Sequence, residues 1–362
     1  MSADRAAGEE VTRAPARAGG AWLGWPLVGG ACAVGALLVA AAALAYGGGR
    51  PQPVLPGLSD AGVGTQWALP MVRVLVDAAA VVTVGLLFTG AVLVPSPGER
   101  LAPTARFYVR AAGMVAAGWA ALAVVDAVFT VSDILGRPVS DLADPGQLLA
   151  VQQSRALLLE AVLALVLAIG PAVVRGRAGA LALLVIAVAA ALPPAFTGHA
   201  AEARDHGTAV SSLVFHLAGV TLWVGGLIGL LTYVSRRPGY AGGHDRRVSP
   251  TARRHAVYRA AQRFSSIALV CWVVVALSGT VNAWVRLPSL AALTESDYGR
   301  LVLGKALATV MLGVLGQLHR TRTLAALERG HRGAFVRLAT AEVVLMAVTI
   351  GLAVGLSRTP VG

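Results

Sequence analysis

The chain has 362 residues, of which 56% are hydrophobic and only 13% charged, and its mean hydropathy is +0.71. Charged residues are about half as frequent as in a soluble domain, which excludes a water-soluble globular fold and makes lipid the expected solvent. The net charge of +12 does not indicate a nucleic-acid partner, because the arginines fall in short loops between apolar runs and no basic stripe is interleaved with aromatics.

About 20 apolar residues cross a bilayer. On that measure the sequence predicts an all-α, polytopic membrane protein, a bundle of about nine transmembrane helices at 21–46, 66–94, 105–129, 149–174, 178–196, 208–234, 264–285, 298–318 and 335–356. Residues 1–20 form a polar tail, 21–197 an N-terminal transmembrane region of five spans, and 198–362 a second transmembrane region of four. Ala43-Leu44-Ala45 looks like a leader cleavage site. The tail and apolar run before it are together too long for a secretory leader, so the first helix is expected to be retained. Cys32 and Cys271 both lie inside apolar runs, which leaves no disulfide framework and no CxxC site.

The arginines set the orientation. Arg5, Arg13 and Arg17 in the tail, Arg100 and Arg106, Arg175 and Arg177, eight arginines between 236 and 263, and Arg320, Arg322, Arg329 and Arg332 fall on alternate sides of successive spans, hence on one face of the membrane. That face is expected to be cytoplasmic, with the N-terminus inside and the C-terminus outside. The opposite loops carry acids, among them Asp133, Asp141, Asp144, Glu202 and Asp205.

Ionisable residues inside the spans are the first functional signal, since an ionised group facing hydrocarbon costs several kcal/mol and such groups turn inward to mark ion, proton or cofactor paths. The second span holds Arg73 and Asp77, the third Asp126, the fourth Glu160, the sixth His216, the eighth Lys305 and the ninth Glu342. At 1.5 Å per residue these groups occupy the outer half of the membrane or reach its midplane, except Glu342, which approaches from the cytoplasmic side. Lys305 is the one lysine among 30 basic residues, and its expected partner is Glu160 or Asp77. A buried pair that fixes helix register and a place on an ion path are both compatible with this pattern.

Helical spacing groups further residues into stripes. His216, Gly219, Trp223 and Gly226 share a face, as do Cys271, Ser278 and Asn282; Tyr298, Lys305 and Thr309; and Glu342, Met346 and Thr349. Glycines beside His216 let a neighbouring backbone approach, so the imidazole faces protein rather than lipid. The outer segment 198–207 holds His199, Glu202, Asp205 and His206, and imidazole with carboxylate suits borderline divalent metals. In a helix His199, Glu202 and His206 would share one face, with His216 about 15 Å beyond His206, too far to bind the same ion. The residues expected to contact metal are therefore His199, Glu202, His206 and His216, and Asp77, Asp126, Glu160, Lys305, Glu342, Asn282, Met346 and Cys271 are expected to line an ion path or form buried pairs.

The ordered set His216 to Leu227, Arg263-Phe264-Ser265, Ser278 to Trp284, Tyr298-Gly299-Arg300-Leu301, Lys305, Arg320, Glu342 and Leu356-Ser357 resembles the copper resistance protein D family (CopD). The resemblance covers 199–357, which makes 198–362 a CopD-like region. His319 departs from it, standing where the family more often has a small polar residue. The resemblance implies copper passage across the bacterial cytoplasmic membrane, usually inward, with a periplasmic copper-binding partner of the CopC type. Soft Cys271 and Met346 would suit Cu(I), and the outer histidines either copper state or zinc.

Two other readings compete. A b-type haem electron-transfer protein needs two inward histidines at one depth, and His199 is the only candidate to join His216. A scaffold for oxidase copper-site assembly would move no ion at all. No nucleophile and base pair, phosphate-binding glycine loop or metalloprotease spacing is present, so no enzyme is expected. No internal repeat is visible.

Overall fold

The structure is a computed structural model that describes residues 24–47, 59–142, 144–196, 206–236, 249–287 and 289–359. Among them the chain is helical, and the one extended feature is an isolated bridge between Arg100 and Gly176. The α-helices are α1 (Gly24–Tyr46), α2 (Gly62–Phe88), α3 (Pro103–Leu135), α4 (Gly146–Ala150), α5 (Gln152–Ile169) and α6 (Arg177–Ala190). They continue as α7 (His206–Ser235), α8 (Pro250–Arg286), α9 (Ala292–Glu295), α10 (Asp297–Leu318), α11 (Leu324–Glu328) and α12 (Gly333–Arg358).

Among the described residues seven helical segments are long and apolar enough to cross a membrane, so this is a multi-pass membrane protein. They are Gly62–Leu93, Pro103–Leu135, Gln152–Ala172, Gly207–Ser235, Pro250–Arg286, Asp297–Glu328 and Gly333–Ser357. Two shorter apolar helices, Cys32–Tyr46 and Arg177–Ala190, fall at the first and fifth predicted spans. With 14 residues α6 is about 21 Å long, less than the bilayer's hydrocarbon thickness. A tighter turn follows at Pro193–Phe196, where proline withholds the N–H that an α-helix would use.

Helix ends differ from the sequence expectation where arginines dilute an apolar run. α8 begins at Pro250 rather than 264: Pro250 takes the first helical position and Ser249 Oγ accepts from the Ala252 N–H at 3.2 Å. Arginine and alanine are good helix formers, so this basic stretch continues the span's helix instead of forming a loop. Its 37 residues give about 56 Å, which carries the first turns beyond the hydrocarbon. α3 runs on to Leu135, where Gly136 at φ 61° supplies the left-handed cap.

α2 is the hub, packing against α1, α3, α6, α7 and α12. Its crossing with α7 brings backbone against backbone: a Cβ on Gly85 would enter the Gly225 backbone, one on Gly225 the Val81 carbonyl, and one on Gly229 the Thr89 side chain. Glycines at these positions allow the close approach. Because Val81 meets Gly225 and Thr89 meets Gly229, α2 and α7 run in the same direction. α5 opposes α3 through Trp119 with Glu160 and Gly113 with Pro171, and α3 opposes α2 through Gly90 with Ala105 and Thr65 with Ser132. α5 and α7 are therefore co-directional, and the chain between them must return along α6. α1 and α12 also run in parallel, with Gly351 against Ala36 and Gly355 against Ala43.

One end of the bundle collects arginines. α2 finishes in a π-turn, Thr89–Leu93, whose wider register leaves carbonyls open. Arg177 Nε donates to the Ala91 carbonyl at 3.1 Å and Arg263 Nη1 to the Val92 carbonyl at 3.5 Å. Arg332 donates to the Val234 carbonyl at 3.3 Å, and the Arg236 guanidinium lies 3.5 Å from the centre of the Phe107 ring. Positive charge at the C-terminal ends of α2 and α7 complements their dipoles.

Substituting Gly225→Leu forces α2 and α7 apart and should cost about 1–3 kcal/mol or more. A lower melting temperature in detergent is expected. Gly118→Leu, where a Cβ meets nothing within 4 Å, should leave it unchanged.

Candidate functional site

Polar side chains gather in two seams on either side of the α2 and α7 pair. The first lies between α2, α3 and α5. Arg73 Nε meets Asp126 Oδ2 at 2.9 Å, with the Asp126 side chain fully buried and that of Arg73 30% exposed. Trp119 Nε1 donates to Glu160 Oε1 at 2.8 Å, and Glu160 is 2% exposed. Glu160 Oε2 is buried with no hydrogen-bond partner among the described residues. Asp77, one turn along α2 from Arg73, interacts electrostatically with Arg73, Asp126 and Glu160. Three carboxylates and one guanidinium thus converge from three helices.

The second seam begins between α7 and α8. His216 Nδ1 lies 3.0 Å from Ser278 Oγ. The Ser278 hydroxyl donates to the Val274 carbonyl at 2.6 Å, so its lone pair accepts from Nδ1–H and the ring is the tautomer whose Nε2 carries the lone pair. Ser212 Oγ and Asn282 Nδ2 both donate to the Ser278 carbonyl, at 2.9 and 3.0 Å. That fixes the α8 turn carrying the hydroxyl. An imidazole held through Nδ1 presents Nε2 as a metal ligand does.

Towards the arginine-rich end, α10 closes in a second π-turn, His319–Thr323. Thr323 Oγ1 donates to the His319 carbonyl and lies 2.9 Å from His319 Nδ1. With its proton so used, Thr323 accepts from Nδ1–H and leaves the Nε2 lone pair facing Glu342 Oε2 at 3.3 Å. Glu342 is 2% exposed, and the Phe335 ring packs 4.9 Å from the imidazole. Two acceptors face each other there, an arrangement that needs a proton or a cation between them. Both groups line a cavity of about 420 Å³ between α7, α8, α10 and α12, whose wall also includes Trp223, Phe264, Trp272 and Gln317.

The predicted residues divide accordingly. Asp77, Asp126 and Glu160 come together, and His216 meets the predicted Ser278 and Asn282 stripe. Glu342 lines the cavity, while Cys271 and Met346 are buried core residues at 7% and 1% exposure. Lys305 departs from expectation: among the described residues it pairs with neither Glu160 nor Asp77, because α10 packs on α8, α9 and α12 and those acids stand on α2 and α5. Its electrostatic neighbours are Arg286 and His216. The partner taken by an acid is Arg73. His199 and Glu202 lie outside the described residues. His206 opens α7, about 15 Å before His216 on one continuous helix. No group of three or more His, Cys, Asp or Glu able to hold a metal ion exists among the described residues. Trp119 was not singled out from the sequence; the signal that could have found it is the helical stripe it shares with Ala123 and Asp126 on α3.

Such a bundle, apolar outside with ionisable side chains facing one another within, defines a polytopic membrane protein with a polar interior. Residues 258–356 match the family described as copper resistance protein D, and residues 58–209 match the copper resistance protein D-like N-terminal domain. The chain belongs to the copper resistance protein D family. A stretch of 131 residues is 30% identical to the copper transport protein CutJ of Bacillus subtilis (strain 168), covering 35% of this chain and 22% of that protein. The match thus spans about a fifth of that relative's length. No solved structure matches the chain.

Removing one partner of a buried ion pair costs more than replacing both. Arg73→Leu should destabilise the purified protein by about 3 kcal/mol, and adding Asp126→Leu should restore most of the lost melting temperature.

Proposed function

We propose that the chain carries copper inward across the bacterial cytoplasmic membrane as a transporter rather than an enzyme, through nine crossings with the N-terminus cytoplasmic and the C-terminus outside. The arginine-rich end of the bundle supports this orientation, and the shared direction of α5 and α7 supports a crossing by α6. Copper is the cargo. It enters beside His199, Glu202 and His206, where a periplasmic copper-binding protein of the CopC type would deliver it. It then passes His216 Nε2 and leaves by the cavity at His319 and Glu342. Cys271 and Met346, on the helices that flank this route, supply soft donors suited to Cu(I).

The observation that carries this reading is the cavity of about 420 Å³ with His319 and Glu342 in its wall, built largely from the segment matched to copper resistance protein D. Trp223, seven positions along α7 from His216, lines its outer part about 10 Å away. Donor atoms 3.3 Å apart subtend about 107° at an ion about 2.05 Å from each, close to a tetrahedral angle. The haem reading is not favoured. His216 and His319 are tied to hydroxyls in different parts of the seam, and neither faces a second imidazole in the hydrogen bonds described.

The test is copper content of cells producing the native chain, His216→Ala or Glu342→Gln at matched membrane levels. The native chain is expected to raise cellular copper several-fold over empty vector, and both variants to fall to the vector level. Equal accumulation in all of them would contradict transport and leave the scaffold reading.

A further inference from the structure

We propose that the seam between α2, α3 and α5 is a proton-binding site, with Glu160 as the group that gains and loses the proton. Its part in transport rests on the reading above, whereas the site itself does not. Among the described residues the buried acids outnumber the one guanidinium that faces them. Arg73 neutralises Asp126 at 2.9 Å, which leaves Asp77 and Glu160 to be accounted for. Trp119 gives Glu160 an N–H, at Oε1, and Oε2 remains buried without a hydrogen-bond partner among the described residues. A neutral donor on one oxygen does not offset a full charge in a span lying within lipid.

The charged groups that act on Glu160 are Asp77, Arg73 and Asp126, from the two other helices of the seam. Among the described residues the three acids face one guanidinium, and a proton on Glu160 reduces that imbalance. Asp77 and the 30% exposed Arg73 form the edge of the cluster. The step is the simplest acid-base one: a proton arrives from water at that edge, binds a Glu160 carboxylate oxygen and leaves the same way. Copper chemistry is not required, because His216, His319 and Glu342 lie in the other seam.

The experiment is infrared spectroscopy of the full chain in lipid vesicles, following the carboxylic-acid C=O band over about pH 5–9. The native protein should show a band that disappears as pH rises. It should be missing from Glu160→Gln and displaced in frequency in Trp119→Phe, which keeps the carboxyl and removes its N–H donor. A band that does not titrate over this range, or one unchanged in either variant, overturns the proposal. If Glu160→Gln does not fold, Trp119→Phe decides alone. Copper uptake by the same vesicles should vary with pH for the native chain and lose that variation in Glu160→Gln. His216→Ala should abolish uptake yet keep the titrating band, so failure of transport and failure of the proton site are read separately.

Discussion

The crossing of α2 with α7 at Gly85, Gly225 and Gly229 holds the rest of the bundle in place. In lipid there is little hydrophobic drive to bring helices together, so association relies on close packing and interhelical hydrogen bonds. Here the packing is backbone on backbone. The contact makes α2 and α7 a single two-helix spine, with α3 and α5 on one side and α8, α10 and α12 on the other. Eight residues separate Asp77 from Gly85 and nine separate His216 from Gly225, placing both groups about 12–14 Å from the crossing. Two chemically different seams therefore sit at matching depth on opposite flanks of one rigid element.

The seams solve the same problem in different ways. Around α3 the buried groups are carboxylates, met among the described residues by the Arg73 guanidinium and the Trp119 indole N–H and, in our proposal, by a proton. Around α8 they are imidazoles oriented through Nδ1 by the Ser278 and Thr323 hydroxyls, with His319 Nε2 set 3.3 Å from Glu342 Oε2. A carboxylate cluster suits a small, exchangeable cation such as a proton; an imidazole with an open nitrogen suits a borderline or soft metal. The two π-turns fall at the arginine-rich end, at the close of α2 and of α10. One offers carbonyls to Arg177 and Arg263, the other places His319 against Glu342.

Much of this was readable from the residues. Apolar run length gave seven of the spans, because crossing hydrocarbon demands a length that composition cannot hide. The buried ionisable residues stood out for the same reason, and spacing grouped Cys271, Ser278 and Asn282 on one face of α8 without revealing that Ser278 meets His216. What spacing cannot reveal is which helix lies beside which. Lys305 was matched to an acid by charge, but those acids belong to helices that α10 does not pack against, and Arg73, four residues from Asp77, proved to be the cation that an acid takes. The start of α8 was lost because four arginines mask a helix whose backbone is continuous. His319 gave no signal beyond its departure from the family pattern, and its contact with Glu342 arises only where the π-turn and α12 meet.

Metal passage along the imidazole seam is the step on which the proposed function stands. Its most direct test is copper uptake into sealed vesicles containing only the purified chain, measured by metal analysis of the lumen against protein-free vesicles. Saturable accumulation well above the protein-free rate is the predicted result. Lumenal copper rising no faster than in empty vesicles would contradict it.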